Sequence, residues 1–439
     1  MAVLTIDTGK KTGRIKPRHG GGQPPIGGRG TDDFTVLAEA GIPYSRLHDC
    51  GGCFGDGLYV DVPNIFRDFD ADENDPASYD FVMTDRLLEA LVRCGVEPYY
   101  RLGVTIENHA GAISYRIDPP RDFGKWARIC EHIMAHYLRG WAGGYHFPIT
   151  YWEIWNEPEN NGVGPKYTNE MWTGTDEDYF RLYEVASKHL KARFPEARIG
   201  GYSSCGFYYL TETPERREHR LARGNHGPEH FMSFFKNFFA YVKEHDCPID
   251  FFSWHSYACT RDTEVWADFV ADELEKVGFA GLPTHINEWN PCPGERGTAH
   301  HGAEVAAMML AMQNKKCVDL MCIYDMRSSG TYSALFDSMK DIPTYGYYAM
   351  AAFNELYRLG TQVELSCDTP GIYAVAATDR DGGKHAVMVS NLTGHEQSLT
   401  FSGIGLTGAK YWIMDENRLM SWAANAGRLP KNGVALIEF

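Results

Sequence analysis

Between about residue 31 and residue 359 the chain alternates short apolar runs with longer stretches in which apolar positions recur every three or four residues. These are the signatures of buried strands and of amphipathic helices. The first helix is expected over 31–41, with Thr31 or Asp32 at its N-cap and Gly41 just past its end. A strand over 44–48 follows, then a helix over 79–94 closed by Gly95 and a strand over 97–102. The alternation continues with helix 125–138, strand 150–155, helix 176–194 and strand 197–201. It then runs through helix 231–244, strand 250–255, helix 264–277, strand 284–287, helix 303–314, strand 319–324 and helix 345–359. Closing the series requires an eighth strand ahead of residue 31. The only candidate is 13–19, with Gly20-Gly21-Gly22 read as the mobile rim behind it. Regular strand–helix alternation implies parallel strands, so the fold class is α/β. A closed (β/α)8 TIM barrel over 13–359 fits the count better than an open sheet, and no GxGxxG follows a strand.

Past residue 359 the helical period stops. Segments 371–378, 385–391, 397–401, 411–414 and 434–439 read as strands, separated by turns such as Asp381-Gly382-Gly383. They predict a small accessory β-sandwich over 360–439, which segment 1–12 joins through a strand at 3–7.

Composition narrows the partners. A 439-residue chain with 44% hydrophobic and 23% charged residues reads as soluble and globular. The formal net charge of −16, with no concentrated Lys/Arg stripe, argues against nucleic acid. No apolar run approaches the length of a membrane span or a secretory leader. The 11 cysteines are odd in number and have no framework spacing, which suits free thiols in a reducing cytoplasm. Nothing bears on oligomeric state, and a homo-oligomer stays open.

The chemistry is concentrated in two strand ends. Tyr151-Trp152-Glu153-Ile154-Trp155-Asn156-Glu157-Pro158 carries a buried strand into an acid, and Thr284-His285-Ile286-Asn287-Glu288-Trp289-Asn290 does the same. By strand count these are the fourth and seventh strands, which face one another across the mouth where barrel active sites lie. Glu157 is expected in a partly apolar mouth lined by Trp155, a setting that raises a carboxyl pKa and suits a general acid. Two facing carboxylates are what glycoside cleavage requires. His255 and Tyr257, two apart, share a face of the sixth strand, as Arg46 and His48 do on the second. Tyr257 could donate to Glu288, and His255 could hold a sugar hydroxyl.

The Trp-Asn-Glu-Pro strand and the seventh-strand Glu resemble clan A retaining glycoside hydrolases. Tyr79-Asp80-Phe81, Asp85-Arg86-Leu87-Leu88, Glu97-Pro98, Leu102-Gly103 and Phe252-Ser253-Trp254-His255-Ser256-Tyr257 resemble glycoside hydrolase family 39, a β-xylosidase-like family. The resemblance implies Glu157 as acid/base, Glu288 as nucleophile and Asn156 as a partner of the sugar 2-hydroxyl. It also implies sugar-binding roles for Arg46 and His48. Trp289, beside the nucleophile, is expected at the substrate. Where the family often has a Trp after the eighth strand, this chain has Ile323-Tyr324-Asp325-Met326-Arg327, so Tyr324 is the expected platform and Arg327 could meet an acidic or heavily hydroxylated sugar. The function expected is retaining, exo-acting cleavage of terminal sugars from oligosaccharides, needing no cofactor. Transglycosylation on the same barrel and a non-catalytic carbohydrate-binding barrel are the alternatives.

Long inserts after the second, fourth and fifth strands (49–78, 158–175 and 203–230) are expected to wall a pocket, with Trp172, Tyr208, Tyr209, Arg216, Arg217 and His219 on its rim. Weaker signals are Cys50-Gly51-Gly52-Cys53, which with Cys205, Cys259 and Cys292 could hold zinc, and Asp68, Asp70, Asp72 and Asp75, which imitate a calcium loop but have Glu73 where such a loop wants Gly.

Overall fold

The computed structural model describes residues 1–25, 34–50, 59–105, 116–160, 171–222, 227–327, 332–337 and 342–439. Eight parallel strands close into a barrel: β2 (Gly20–Gly22), β3 (Tyr44–Leu47), β4 (Glu97–Leu102), β5 (Tyr151–Ile154), β6 (Arg198–Ser204), β7 (Phe251–Ser256), β8 (Thr284–Trp289) and β9 (Val318–Ile323). β9 pairs with β2 to complete the circle. Ahead of the barrel runs β1 (Ala2–Arg14). After it come β10 (Thr361–Ser366), β11 (Ile372–Thr378), β12 (His385–Asn391), β13 (Gln397–Ser402), β14 (Lys410–Asp415), β15 (Arg418–Ala423), β16 (Arg428–Leu429) and β17 (Val434–Glu438). These form one curled, sandwich-like sheet in the order β15-β14-β17-β12-β11-β10-β1-β13-β16. β1 lies inside this sheet, antiparallel to β10 and parallel to β13, and buries Ala2, Leu4 and Ile6 at every second residue.

Local chemistry accounts for the helix ends. Thr175 and Asp178 form a capping box at the start of helix Asp176–Arg193. Asp122 caps helix Phe123–Arg139, which ends on Gly140 in the left-handed region. Helix Ala299–Gln313 is buried at every position except His300. It lies between the barrel and the curled sheet, touching helix Tyr345–Leu359, β11 and β12, so it has no solvent face to mark with charges. Among the described residues, no helix is long and apolar enough to cross a membrane.

Three expectations need correction or placement. The first barrel strand is not 13–19 but the triglycine itself. Residues through Arg14 are spent in the curled sheet, and Gly20 is needed because the space is taken: a Cβ there would sit 2.8 Å from the Met321 carbonyl oxygen. The fifth and seventh barrel strands run past their expected ends, to Ser204 and Trp289, so Glu288 is still within a strand. The Thr31/Asp32 cap lies outside the described residues, and the first helix is observed over Thr35–Glu39.

The triglycine makes a contrasting pair of substitutions informative. Gly20→Ala should destabilise by about 1–3 kcal/mol, because backbone must move. At Gly22 the nearest atom to a new Cβ is 3.5 Å away, and Gly22→Ala should stay within about 0.5 kcal/mol of wild type. Denaturant unfolding measures both, and equal losses would contradict the packing argument.

Candidate active site

The barrel interior at the C-terminal end of the strands is built around one cation. Arg46, on β3, is fully buried. Its Nε and Nη2 donate to Glu153 Oε2 at 2.8 and 2.6 Å, its Nη1 to Glu288 Oε1 at 2.7 Å, and its Nη2 also to Asn156 Oδ1 at 2.7 Å and Ser203 Oγ at 2.8 Å. Burial works to lower the Arg46 pKa, but Glu153 and Glu288 outweigh it and hold the group above its ordinary value. Glu153 also accepts from Ser253 Oγ and Asn287 Nδ2, each at 2.5 Å.

Glu288 accepts at both oxygens. Oε1 takes the Arg46 proton and Oε2 takes the Tyr257 phenol proton at 2.7 Å. His48 Nε2 stands 3.7 Å from Oε1 and 3.2 Å from Asp49 Oδ1. Its Nδ1 accepts from Arg101 Nε at 3.2 Å, so the ring proton is on the side of the two acids. Burial, then the charges of Arg101 and Arg46, push the His48 pKa well down.

Glu157 has a different environment. The chain leaving β5 enters the left-handed region at Trp155 (φ 72°) and again at Glu157 (φ 45°), held by Trp155 N donating to Leu102 O and Glu157 N to Ser203 O. Strain of this kind persists where the surroundings over-determine it. Glu157 Oε1 lies 2.6 Å from His255 Nδ1, and Oε2 accepts from Asn160 Nδ2 at 2.8 Å. Burial raises its pKa to about 7, against the opposing pull of the Asn160 hydrogen bond and Arg46. His255, lowered to about 4 chiefly by burial, is neutral at neutral pH and spans the two acids, with Nδ1 3.5 Å from Glu288 Oε2 and Nε2 2.7 Å from Ser203 Oγ. One ligand atom each from Glu157, His255 and Glu288 lies within 4.8 Å of the others. Among the described residues this is the one group of three whose donor atoms converge in the manner of a metal site, and no cysteine belongs to it.

The structure therefore gathers Glu157, Glu288, Asn156, Arg46, His48, His255, Tyr257 and Tyr324 at one mouth, but it changes several parts. Arg46 lies beneath the acids with its guanidinium committed to protein acceptors, so it positions carboxylates instead of meeting sugar. His255 likewise spends both ring nitrogens on protein groups. Trp289 is fully buried and cannot stack on a sugar. Trp155 and Trp172 are buried against each other, with centroids 5.0 Å apart, and line no mouth. Tyr324 is nearly buried; its OH donates to Asp49 Oδ2 at 2.5 Å and accepts from Gln23 Nε2 at 2.8 Å. Arg327 is held by Asp325 at 2.8 Å.

Of the proposed zinc ligands, Cys53 lies outside the described residues. Burial raises the thiols of Cys50, Cys205, Cys259 and Cys292, the opposite of what thiolate ligation needs. The acidic loop is tied to bases, with Arg121 on Asp70 and Arg128 and Lys125 on Glu73.

Glu153, Ser203 and Asn287 were missed, although a lone glutamate inside a buried strand signals a paired charge. Glu159 was missed too. It is buried, accepts from Cys205 N at 2.8 Å and is raised to about 8 by burial and then by the Glu157 charge.

Comparison with known proteins follows the same lines. The model for glycosyl hydrolases family 39 matches residues 38–361. The chain belongs to family 39. A β-xylosidase of Geobacillus stearothermophilus is 23% identical over 349 residues, 73% of this chain and 60% of that protein. The chain spans about 60% of the length of the curated relatives it matches. In fold, it is similar to a glucosidase from Croceicoccus marinus (TM-score 0.74, 19% identity, 100% and 98% of the two chains covered). It is also similar to a monomeric β-xylosidase from Caulobacter crescentus (TM-score 0.66, 16% identity, 100% and 99% covered).

The Glu157 environment has a consequence for stability. A carboxyl raised in the folded state contributes stability that is complete below its unfolded pKa, near 4.5, and is lost as pH rises through about 7. Glu157→Gln, which keeps the neutral shape, should match wild type near pH 4 and exceed it near pH 8 by about 1–3 kcal/mol. Denaturant titrations at the two pH values check this, and an offset independent of pH would refute it.

Proposed function

We propose that this member of family 39 is a retaining, exo-acting glycoside hydrolase, β-xylosidase-like, with Glu288 as nucleophile and Glu157 as acid/base. The observation that carries the reading is the approach of the two carboxyls, within 4.8 Å, in unlike surroundings. Retaining enzymes hold their acids about 5–5.5 Å apart, and inverting enzymes need about 6.5–9.5 Å to seat a water between them.

Glu288, stripped of water and aimed by Arg46 and Tyr257, attacks the anomeric carbon. Glu157, protonated because of its burial, gives its proton to the glycosidic oxygen as that bond breaks. The leaving group departs with the proton and the sugar stays esterified to Glu288. Glu157, now a carboxylate, takes a proton from water, the hydroxide equivalent attacks the anomeric carbon, and the sugar leaves with its anomer retained. Asn156 presents its Oδ1 to Arg46, which leaves its amide N–H groups for the sugar 2-hydroxyl. Such a bond tightens as oxocarbenium character develops. Asn160 after β5 and Tyr208, Tyr209 and Arg220 after β6 line a cavity beside Glu157, which supports exo action.

A panel of nitrophenyl glycosides (β-xyloside, α-arabinopyranoside, β-galactoside, β-glucoside and a uronide) tests the activity and identifies the sugar; no turnover of any would refute it. On the preferred sugar, kcat/KM should fall as pH rises through about 7, because the protonated acid is the working form. Glu288→Ala should abolish turnover, with azide restoring it as the inverted glycosyl azide. Glu157→Ala should cost about 10²–10⁴-fold on alkyl glycosides and far less on dinitrophenyl glycosides. Equal losses on both would remove Glu157 as the acid. With a labelled oligosaccharide, single sugars should appear first, and early internal fragments would rule out a pocket.

A further inference from the structure

A cavity of about 210 Å³ adjoins Glu157 and does not reach Glu288. It is walled by Asn160, Tyr208, Tyr209, Arg220 and Phe231, together with Cys205 and Gly206. Larger clefts of about 590 and 580 Å³ lie at the seam between barrel and curled sheet and at the N-terminal end of the barrel, away from both acids. The acid protonates the oxygen that joins the reacting sugar to its leaving group. A cavity that touches the acid alone is therefore where the leaving group goes.

Its volume suits a single ring, and several of its polar groups are engaged, while the buried Tyr209 hydroxyl has no protein partner. Asn160 Nδ2 donates to Glu157 Oε2 at 2.8 Å. Arg220 makes a two-point pair with Glu212 at 3.0 and 3.1 Å. The Tyr208 hydroxyl accepts from Tyr257 N at 3.3 Å, and its ring lies edge-on to Trp266 at 4.8 Å. The wall is pre-formed: a Cβ on Gly206 would come 2.5 Å from the His255 carbonyl oxygen, so the loop lies hard against β7. What remains to a ligand is aromatic surface and the unpartnered Tyr209 hydroxyl. A second sugar would bury more hydroxyls here than that one phenol can partner, which is costly, whereas an aromatic ring gains ring–ring contact.

We propose that the leaving-group site takes a single aromatic ring, so that the preferred substrates are glycosides of phenols in place of disaccharides. This rests on the hydrolase reading above and narrows it. The test uses slowly hydrolysed sulfur-linked ligands of whichever sugar the nitrophenyl panel selects. The inhibition constant of the phenyl 1-thio-glycoside is compared with that of the sulfur-linked disaccharide, in wild type, Phe231→Ala and Phe231→Leu. Turnover of the corresponding glycosyl fluoride, which has no leaving-group ring, monitors the catalytic machinery separately. The phenyl ligand should bind at least tenfold tighter than the disaccharide in wild type. Phe231→Ala should shrink that advantage to threefold or less, and Phe231→Leu should retain part of it, with fluoride turnover within twofold throughout. Equal binding, tighter disaccharide binding, or an advantage unchanged in both variants would overturn the proposal. Absence of fluoride turnover in wild type would instead refute the hydrolase reading itself.

Discussion

A guanidinium sealed inside a barrel must find anions, and Arg46 finds two. Taking charges out of water costs several kcal/mol per ion, repaid only when geometry and hydrogen bonding are complete. Here the completion draws on four of the barrel's eight strands: Arg46 from β3, Glu153 from β5, Ser203 from β6, Asn287 and Glu288 from β8. The same contacts that stabilise the cation fix where Glu288 lies. Stability and orientation of the proposed nucleophile are therefore one feature of the fold. Removing Arg46 would leave two buried carboxylates uncompensated.

The unlike surroundings of the two facing acids follow from their distance to this cation. Glu288 touches it and takes a second proton donor from Tyr257. Glu157 does not touch it; burial dominates there, and only Asn160 and the more distant charge of Arg46 oppose it. Two carboxyls of the same chemistry thereby have unlike surroundings, which suits the proposed division into acid and nucleophile. The neutral imidazole of His255 lies between them, close enough to touch one and approach the other, and adds no charge to blur the difference.

Much of this architecture can be read from the chain, and the failures have a common cause. Strand–helix alternation is a strong signal, and the acids stand out because a proline or a polar turn follows each strand end. Barrel strands, however, are buried on both faces, so no solvent side marks which residues point inward. Trp289, Trp155 and Trp172 all look available at the mouth yet are buried. Arg46 and His255 look like sugar ligands because the sequence pairs them with neighbours on one strand, while their partners come from other strands. The triglycine is hidden differently: with no side chains it has no hydrophobic pattern, and the reason its first residue must be glycine is a carbonyl some 300 residues away in Met321.

The account stands most directly on which carboxylate becomes esterified. A 2-deoxy-2-fluoro glycoside with a dinitrophenolate leaving group slows both steps but keeps the first faster than the second, so that the glycosyl-enzyme accumulates. Peptide mapping of the inactivated protein by mass spectrometry should then locate the fluorosugar on Glu288 alone, with one sugar per chain. A label on Glu157 or Glu153, or stoichiometric turnover without any adduct, would contradict the proposed assignment of roles around the buried arginine.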